Sequence, residues 1–249
     1  MARLGWHLYD AFNIGIESGN LTFWTAMIHE IIPPPTGQEV VLDYGCGDGQ
    51  FLRLLYQMRP FAYGLGVDTD SAALEKARQN RREGEPIEYD TPAVLNNVEN
   101  KFDLAFSQEV FWMIEDLPGL ARTVYRVLKD KGEYYATMGC HIENPLWPHR
   151  RNLLKKEGYR VFDYSLDEVA DIFYEAGFEV GLKRLPVEYF NIYHPEFTPY
   201  RAQSLSRLVE TTYEHKMLFY FRRDAEWRKR LEEKHKRSAP PLERTGGVS

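Results

Sequence analysis

Cysteine is nearly absent from this chain of 249 residues, which has only Cys46 and Cys140. Two cysteines give neither a disulfide framework nor the paired spacing of a zinc site, so no metal is expected. Long apolar runs are missing too, and nothing approaches the length of a membrane span. Met1 to His7 carries one Arg and no following apolar stretch, which is not the pattern of a signal peptide. A cytoplasmic protein without a membrane partner is therefore expected. Positive charge is in deficit, with 31 Lys and Arg against 37 Asp and Glu. The net charge of -6 argues against a general nucleic-acid surface. What is present supports a folded enzyme-sized unit. Hydrophobic residues make up 43% of the chain and charged residues 27%, enough for a core and a solvated surface.

The stretch Val40-Val41-Leu42-Asp43-Tyr44-Gly45-Cys46-Gly47-Asp48-Gly49-Gln50 organises the rest. Val40 to Leu42 reads as a buried strand, and Phe51 to Met58 as a helix. Strand, glycine turn and helix bind adenosine-containing cofactors at the carboxyl edge of a parallel sheet. Glycine allows positive φ and lets a ligand approach bare backbone. The dinucleotide fingerprint needs glycine at the sixth position from Gly45, where Gln50 stands, so a nicotinamide cofactor is disfavoured.

Downstream, Ala62 to Asp68 reads as a second strand ending in an acid, 19 residues beyond Gly49. A carboxylate there can accept both ribose hydroxyls. Ser71 is expected to cap the following helix. Pro86 to Asp90 reads as an edge strand. Asp90 before Thr91-Pro92 reads equally as an adenine ligand or a turn residue. Phe102 to Ser107 is a fourth strand, Leu120 to Leu128 a helix and Glu133 to Thr137 a fifth strand. Residues 139–164 read as irregular. Ser165 to Glu168 is a capping box whose helix ends at Gly177, and Phe178 to Leu182 begins a sixth strand. Residues 188–215 form an aromatic insertion with one helix from Pro199 to about Tyr213, and Lys216 to Phe221 is the last strand.

Asp43, Gly45, Gly47 and Gly49 resemble the first motif of the class I S-adenosylmethionine-dependent methyltransferases. The run from Phe102 to Thr137, with Arg126-Val127-Leu128-Lys129 and Gly132, resembles the fourth strand, helix and fifth strand of their small-molecule type. Asp130-Lys131-Gly132 replaces the family's Pro-Gly-Gly turn. The resemblance covers roughly residues 38–140. It implies an α/β fold: a Rossmann-like, seven-stranded, mostly parallel sheet with helices on both faces and an antiparallel last strand. A helical lid (1–36), a methyltransferase domain (37–222) with insertions after strands five and six, and a charged, partly disordered tail (223–249) complete the expected organisation. The implied cofactor is S-adenosylmethionine, giving S-adenosylhomocysteine. The residues carried over to its site are Tyr9, Asp43, Gly45, Cys46, Gly47, Gly49, Asp68, Thr69, Asp90, Thr91, Ser107 and Gln108.

Methyl transfer from a sulfonium needs mainly orientation and water exclusion, so no triad is required. A base near neutrality would serve a hydroxyl acceptor. His141, which leaves the fifth strand directly, is the first candidate and Glu109 the second. Trp24, Trp112 and His194 are expected to touch the acceptor, although core packing is the commoner role for such aromatics. The fourth-strand loop Ser107-Gln108-Glu109-Val110 lacks the Pro-Pro-Tyr of nucleic-acid amino-methyltransferases, and no Cys-Pro pair is present. A small-molecule acceptor and a monomer or homodimer are expected. Two alternatives stand beside this. One is an RNA or protein methyltransferase using the basic tail, where residues 222–237 carry eight Lys and Arg against four Asp and Glu. The other is a non-catalytic cofactor-binding module.

Overall fold

The computed structural model describes residues 20–31, 36–191, 193–227, 229–230 and 233. In chain order the elements are α1 (Leu21–His29), β1 (Val40–Tyr44), α2 (Gln50–Met58), β2 (Tyr63–Val67), α3 (Ser71–Asn80), β3 (Ile87–Asp90) and β4 (Phe102–Gln108). They continue as α4 (Leu117–Val127), β5 (Leu128–Met138), α5 (Trp147–Lys156), α6 (Leu166–Glu175), β6 (Phe178–Arg184), α7 (Phe197–Ala202), α8 (Leu205–Glu214) and β7 (Met217–Arg223).

The strands form one sheet in the order β3-β2-β1-β4-β5-β7-β6. β1 pairs in parallel with β2 and β4, β2 with β3, and β4 with β5. β7 slots between β5 and β6, antiparallel to both. The expected Rossmann-like mixed sheet with its antiparallel last strand is thus present. Strand order reverses beside β1, and the crevice at that point is where open α/β sheets bind ligands.

Each face of the sheet carries its own core. On one, α1, α2 and α3 contribute Met27, Ile28, Phe51, Leu52, Leu55 and Leu74. On the other, α4 and α6 contribute Leu120, Val124, Val127, Val169 and Phe173. The 3.6-residue spacing in these helices turns the apolar side chains to the sheet. β1 is buried along Val41, Leu42 and Asp43 because helices cover both its faces.

Several boundaries differ from the sequence expectation. Asp70, not Ser71, caps α3, because its carboxylate accepts from both the Ala72 and Ala73 N–H groups. β5 begins at Leu128, running through the Asp130-Lys131-Gly132 turn as an irregularity in its pairing with β4, with Lys131 at φ +64°. The stretch 139–164 holds α5, begun by Trp147-Pro148 at a position where proline needs no N–H partner. The single helix expected in the second insertion is two, broken at Gln203 (φ +63°), after which Ser204 caps α8. The Ser165–Glu168 capping box forms with both of its hydrogen bonds.

Candidate functional site

The glycine turn leaves β1 and enters α2 at the crevice. Gly45, Gly47 and Gly49 all have positive φ, at +82°, +53° and +77°. They are glycines for different reasons. A Cβ at Gly49 would collide with the Tyr89 hydroxyl, and one at Gly45 would lie 2.5 Å from Val110 Cγ2. A Cβ at Gly47 would meet nothing within 4 Å. Two of the glycines therefore admit neighbouring side chains of the protein, and the middle one faces open space. Tyr89 itself donates from its hydroxyl to the Gly49 carbonyl at 3.3 Å.

Asp43 is fully buried at the root of this turn, and neither carboxylate oxygen has a hydrogen-bond partner among the described residues. Burial, with the negative charge of Asp68 added, pushes its pKa well above the usual carboxylate range. An orphaned buried carboxylate beside open backbone fits a ligand that brings a positively charged amino group.

Asp68 stands where the sequence places it. Its two oxygens accept from the Gly47 N–H at 2.8 Å and the Asp70 N–H at 2.9 Å, so it ties the glycine turn to the end of β2. Thr69, Asp90 and Thr91 are exposed at the ends of β2 and β3, and Asp90 accepts from the Thr91 N–H at 2.7 Å. Cys46 lies in the turn with its thiol pushed up by burial, then by Asp43 and Asp68. Ser107 is buried in the core, donating to the Tyr44 carbonyl and accepting from Tyr134, so its hydroxyl is engaged. Gln108 faces α1, its amide 2.9 Å from Met27 Sδ. Tyr9 lies outside the described residues.

The two candidate bases are both engaged. His141 is buried, with Nδ1 2.9 Å from Glu143 Oε2 and Nε2 2.9 Å from the His215 carbonyl. With both ring nitrogens occupied, it has none free for a substrate proton as it stands. Glu109 is paired with Lys216 at 2.5 Å and accepts from the Gly139 N–H. Burial pushes the Glu109 pKa up, but Lys216, Arg150 and these hydrogen bonds outweigh it and hold the carboxyl below its usual range. Such a group is a weak base at neutral pH. Cys140 is pushed up to about 12 by burial and by Glu109, which makes it inert as a nucleophile.

The aromatic candidates pack into hydrophobic clusters. Trp24 meets Phe51 edge-on at 5.9 Å, and Trp112 lies against Trp147 and Tyr159. His194 is an exposed residue of the second insertion, where its Nδ1 accepts from the Glu196 N–H. The structure thus brings Asp43, the glycines and Asp68 into one cradle, and leaves Trp112 and His194 in separate clusters. Sequence reasoning missed Tyr89 and Lys216. Tyr89 has a signal in retrospect, as an aromatic two strands from a run of glycines. Lys216 has none, because one lysine before a strand is ordinary.

A cavity of about 350 Å³ lies between Glu30, Tyr135, Leu182, Lys183, Leu218 and Tyr220, with no lining residue from the glycine turn. Among the described residues no group of three or more His, Cys, Asp or Glu could hold a metal. Nor is any described helix long and apolar enough to cross a membrane.

With this geometry in hand, comparison with known proteins adds a family. A family model described as a methyltransferase domain matches residues 35–173, more than half of the chain. Phosphoethanolamine N-methyltransferase 3 of Arabidopsis thaliana is 30% identical over 148 residues, covering 57% of this chain and 29% of that protein. The matches to curated relatives span between 29% and 61% of those proteins' lengths. Among solved structures, the complex of the Haloferax volcanii Trm112 methyltransferase activator with a methyltransferase matches at a TM-score of 0.70 and 19% identity, covering 90% of this chain and 100% of that one. An S-adenosylmethionine-dependent methyltransferase of Mesorhizobium loti matches at 0.62 and 20%, covering 81% and 98%.

Proposed function

The chain belongs to the methyltransferase-domain family, and on that premise we propose that it transfers the methyl group of S-adenosylmethionine to a small-molecule acceptor. The observation that carries the cofactor is Asp43, a buried carboxylate with both oxygens unpaired, at the root of a turn whose middle glycine faces open space. The methionine part of the cofactor brings the ammonium that such a carboxylate lacks. Gly47 leaves room for it, and Asp68 holds the turn while its remaining lone pairs suit ribose hydroxyls. Asp90 and Thr91, exposed at the end of the neighbouring strand, are the adenine contacts in this reading.

The sulfonium supplies an activated methyl group and a neutral leaving group. The protein's own part is to orient and to exclude water. α1 suits that part, since Met27 touches Gln108 at the end of β4 and Phe23 covers Lys216 before β7. A small acceptor is favoured by the insertions after β5 and β6, which are rich in aromatic residues; Trp147 and Tyr159 of the first pack against Trp112 after β4. Two buried cysteines outside any disulfide accord with a cytoplasmic enzyme.

The test is to incubate the protein with methyl-labelled S-adenosylmethionine, a metabolite extract, total RNA and total protein. Label recovered in a small metabolite together with S-adenosylhomocysteine is the expected result. Label confined to RNA or protein would contradict the small-molecule acceptor.

A further inference from the structure

The ends of three adjacent strands carry a charged pair that cofactor binding leaves unused. Glu109 follows β4, Gly139 follows β5 and Lys216 precedes β7, and these strands are neighbours in the sheet. Lys216 Nζ lies 2.5 Å from Glu109 Oε1, and the Gly139 N–H donates to the same oxygen at 2.7 Å. The Phe23 ring covers the ammonium at 4.3 Å. Glu109 Oε2 is buried and accepts no hydrogen bond of regular geometry among the described residues, the Cys140 thiol being its weak neighbour. Glu109 also stands at φ +58°, an uncommon conformation for a residue with a side chain.

Charge pairing with Lys216 accounts for neither the vacant oxygen nor the left-handed backbone. The position of the unpaired oxygen suggests what it is for. Val110, the next residue, packs directly against Gly45, so the Glu109 turn borders the glycine cradle. An ionised carboxylate there repels an acidic acceptor and suits a donor.

We propose that Glu109 Oε2 receives an N–H of an amine acceptor, and that Lys216 is the positioning residue that holds Glu109 for it. The proposal rests on the methyl-transfer reading and narrows the acceptor to an amine. The ammonium form of the acceptor first releases a proton to water; the free amine nitrogen then gives its lone pair to the methyl carbon while the carbon–sulfur bond breaks toward sulfur. Positive charge passes to nitrogen, whose extra proton leaves to water. A fixed carboxylate next to that nitrogen favours the charge as it develops. A hydroxyl acceptor would need a base near neutrality, and Glu109, faced by Lys216 before β7, Arg150 from α5 and the Cys140 thiol, is kept too weak for that.

The experiment follows the Glu109 carboxyl carbon by NMR in ¹³C-glutamate-labelled protein saturated with S-adenosylhomocysteine. Methylamine and ethanolamine are titrated in, with acetate and methanol as controls. The amines should shift the Glu109 resonance saturably and the controls should not, and Glu109→Gln should abolish amine binding. Lys216→Met should raise the titration midpoint of Glu109 and weaken amine binding about tenfold or more, whereas Lys216→Arg should stay within about threefold of the parent. If Lys216→Met does not fold, Lys216→Arg and Glu109→Gln carry the test. A silent Glu109, or equal amine binding by Glu109→Gln, would overturn the proposal. Calorimetry run in parallel separates the two levels. No binding of S-adenosylhomocysteine defeats the methyl-transfer reading and the pair with it, whereas binding with a silent Glu109 defeats the pair alone.

Discussion

From β1 to β3 the carboxyl edge of the sheet is built largely of backbone: a glycine turn, its N–H groups, and short acids that accept from them. From β4 to β7 the same edge is built of side chains that meet across long stretches of chain. On the first side, Asp68 reaches the Gly47 N–H from 21 residues away within one β-α-β unit. On the second, His141 meets the His215 carbonyl from 74 residues away, and Lys216 neutralises Glu109. A cofactor shared by many enzymes is suited by backbone, whose geometry few substitutions can alter. An acceptor particular to one enzyme is suited by side chains, which change freely.

The sharpest way to break that comparison is to add a methyl group at single glycines. Gly49→Ala meets Tyr89 and carries a positive φ, so it should destabilise the fold by roughly 2–4 kcal/mol in denaturant titration. Gly47→Ala meets no atom and should lose only about 1–2 kcal/mol from backbone strain, yet it should impair cofactor binding because its methyl enters the open space. Equal stability losses in the two variants would mean that the glycines do not divide between packing and binding.

Asp43 tests the cradle with opposite signs. Asp43→Asn removes a buried, unpaired charge, so the ligand-free protein should gain ~1–3 kcal/mol at neutral pH while affinity for S-adenosylhomocysteine falls. The pH dependence follows from the raised pKa. The native state holds the Asp43 proton to higher pH than the unfolded chain does. The penalty is therefore absent below the ordinary aspartate range and grows as pH rises through it toward the raised value. Thermal melts of parent and variant should converge on acidification, and parallel curves would contradict this.

Asp68→Ala removes the acceptor of the Gly47 and Asp70 N–H groups. Cofactor affinity should fall by ~1–3 kcal/mol, measured calorimetrically in a variant that still folds. On the other side of the sheet the effect on the cofactor should be smallest. Trp112→Phe alters the Trp147–Tyr159 cluster and should leave S-adenosylhomocysteine affinity within about threefold of the parent. A large loss there would join the two halves into one site.

The same contrast explains what could be read in the sequence. The strand-turn-helix unit, Asp68 and the alternation of strands and helices follow positional rules that act over a few residues, so they were legible. Asp70 displaced Ser71 as a cap because both residue types cap, and only the backbone decides between them. The break at Gln203 carries no glycine or proline and gave no warning. His141 looked like a base because imidazole is the usual one. Nothing in its neighbourhood announced that Glu143 and the His215 carbonyl would occupy both nitrogens. Lys216 was invisible for the same reason, since its meaning comes from a partner on another strand.

The most direct measurement is isothermal calorimetry of the purified chain with S-adenosylmethionine, S-adenosylhomocysteine and NAD. Saturable one-site binding of both sulfur compounds, abolished by Gly47→Ala, with no heat from NAD, is the result this account predicts. Binding of NAD, or of neither sulfur compound by folded protein, would contradict it.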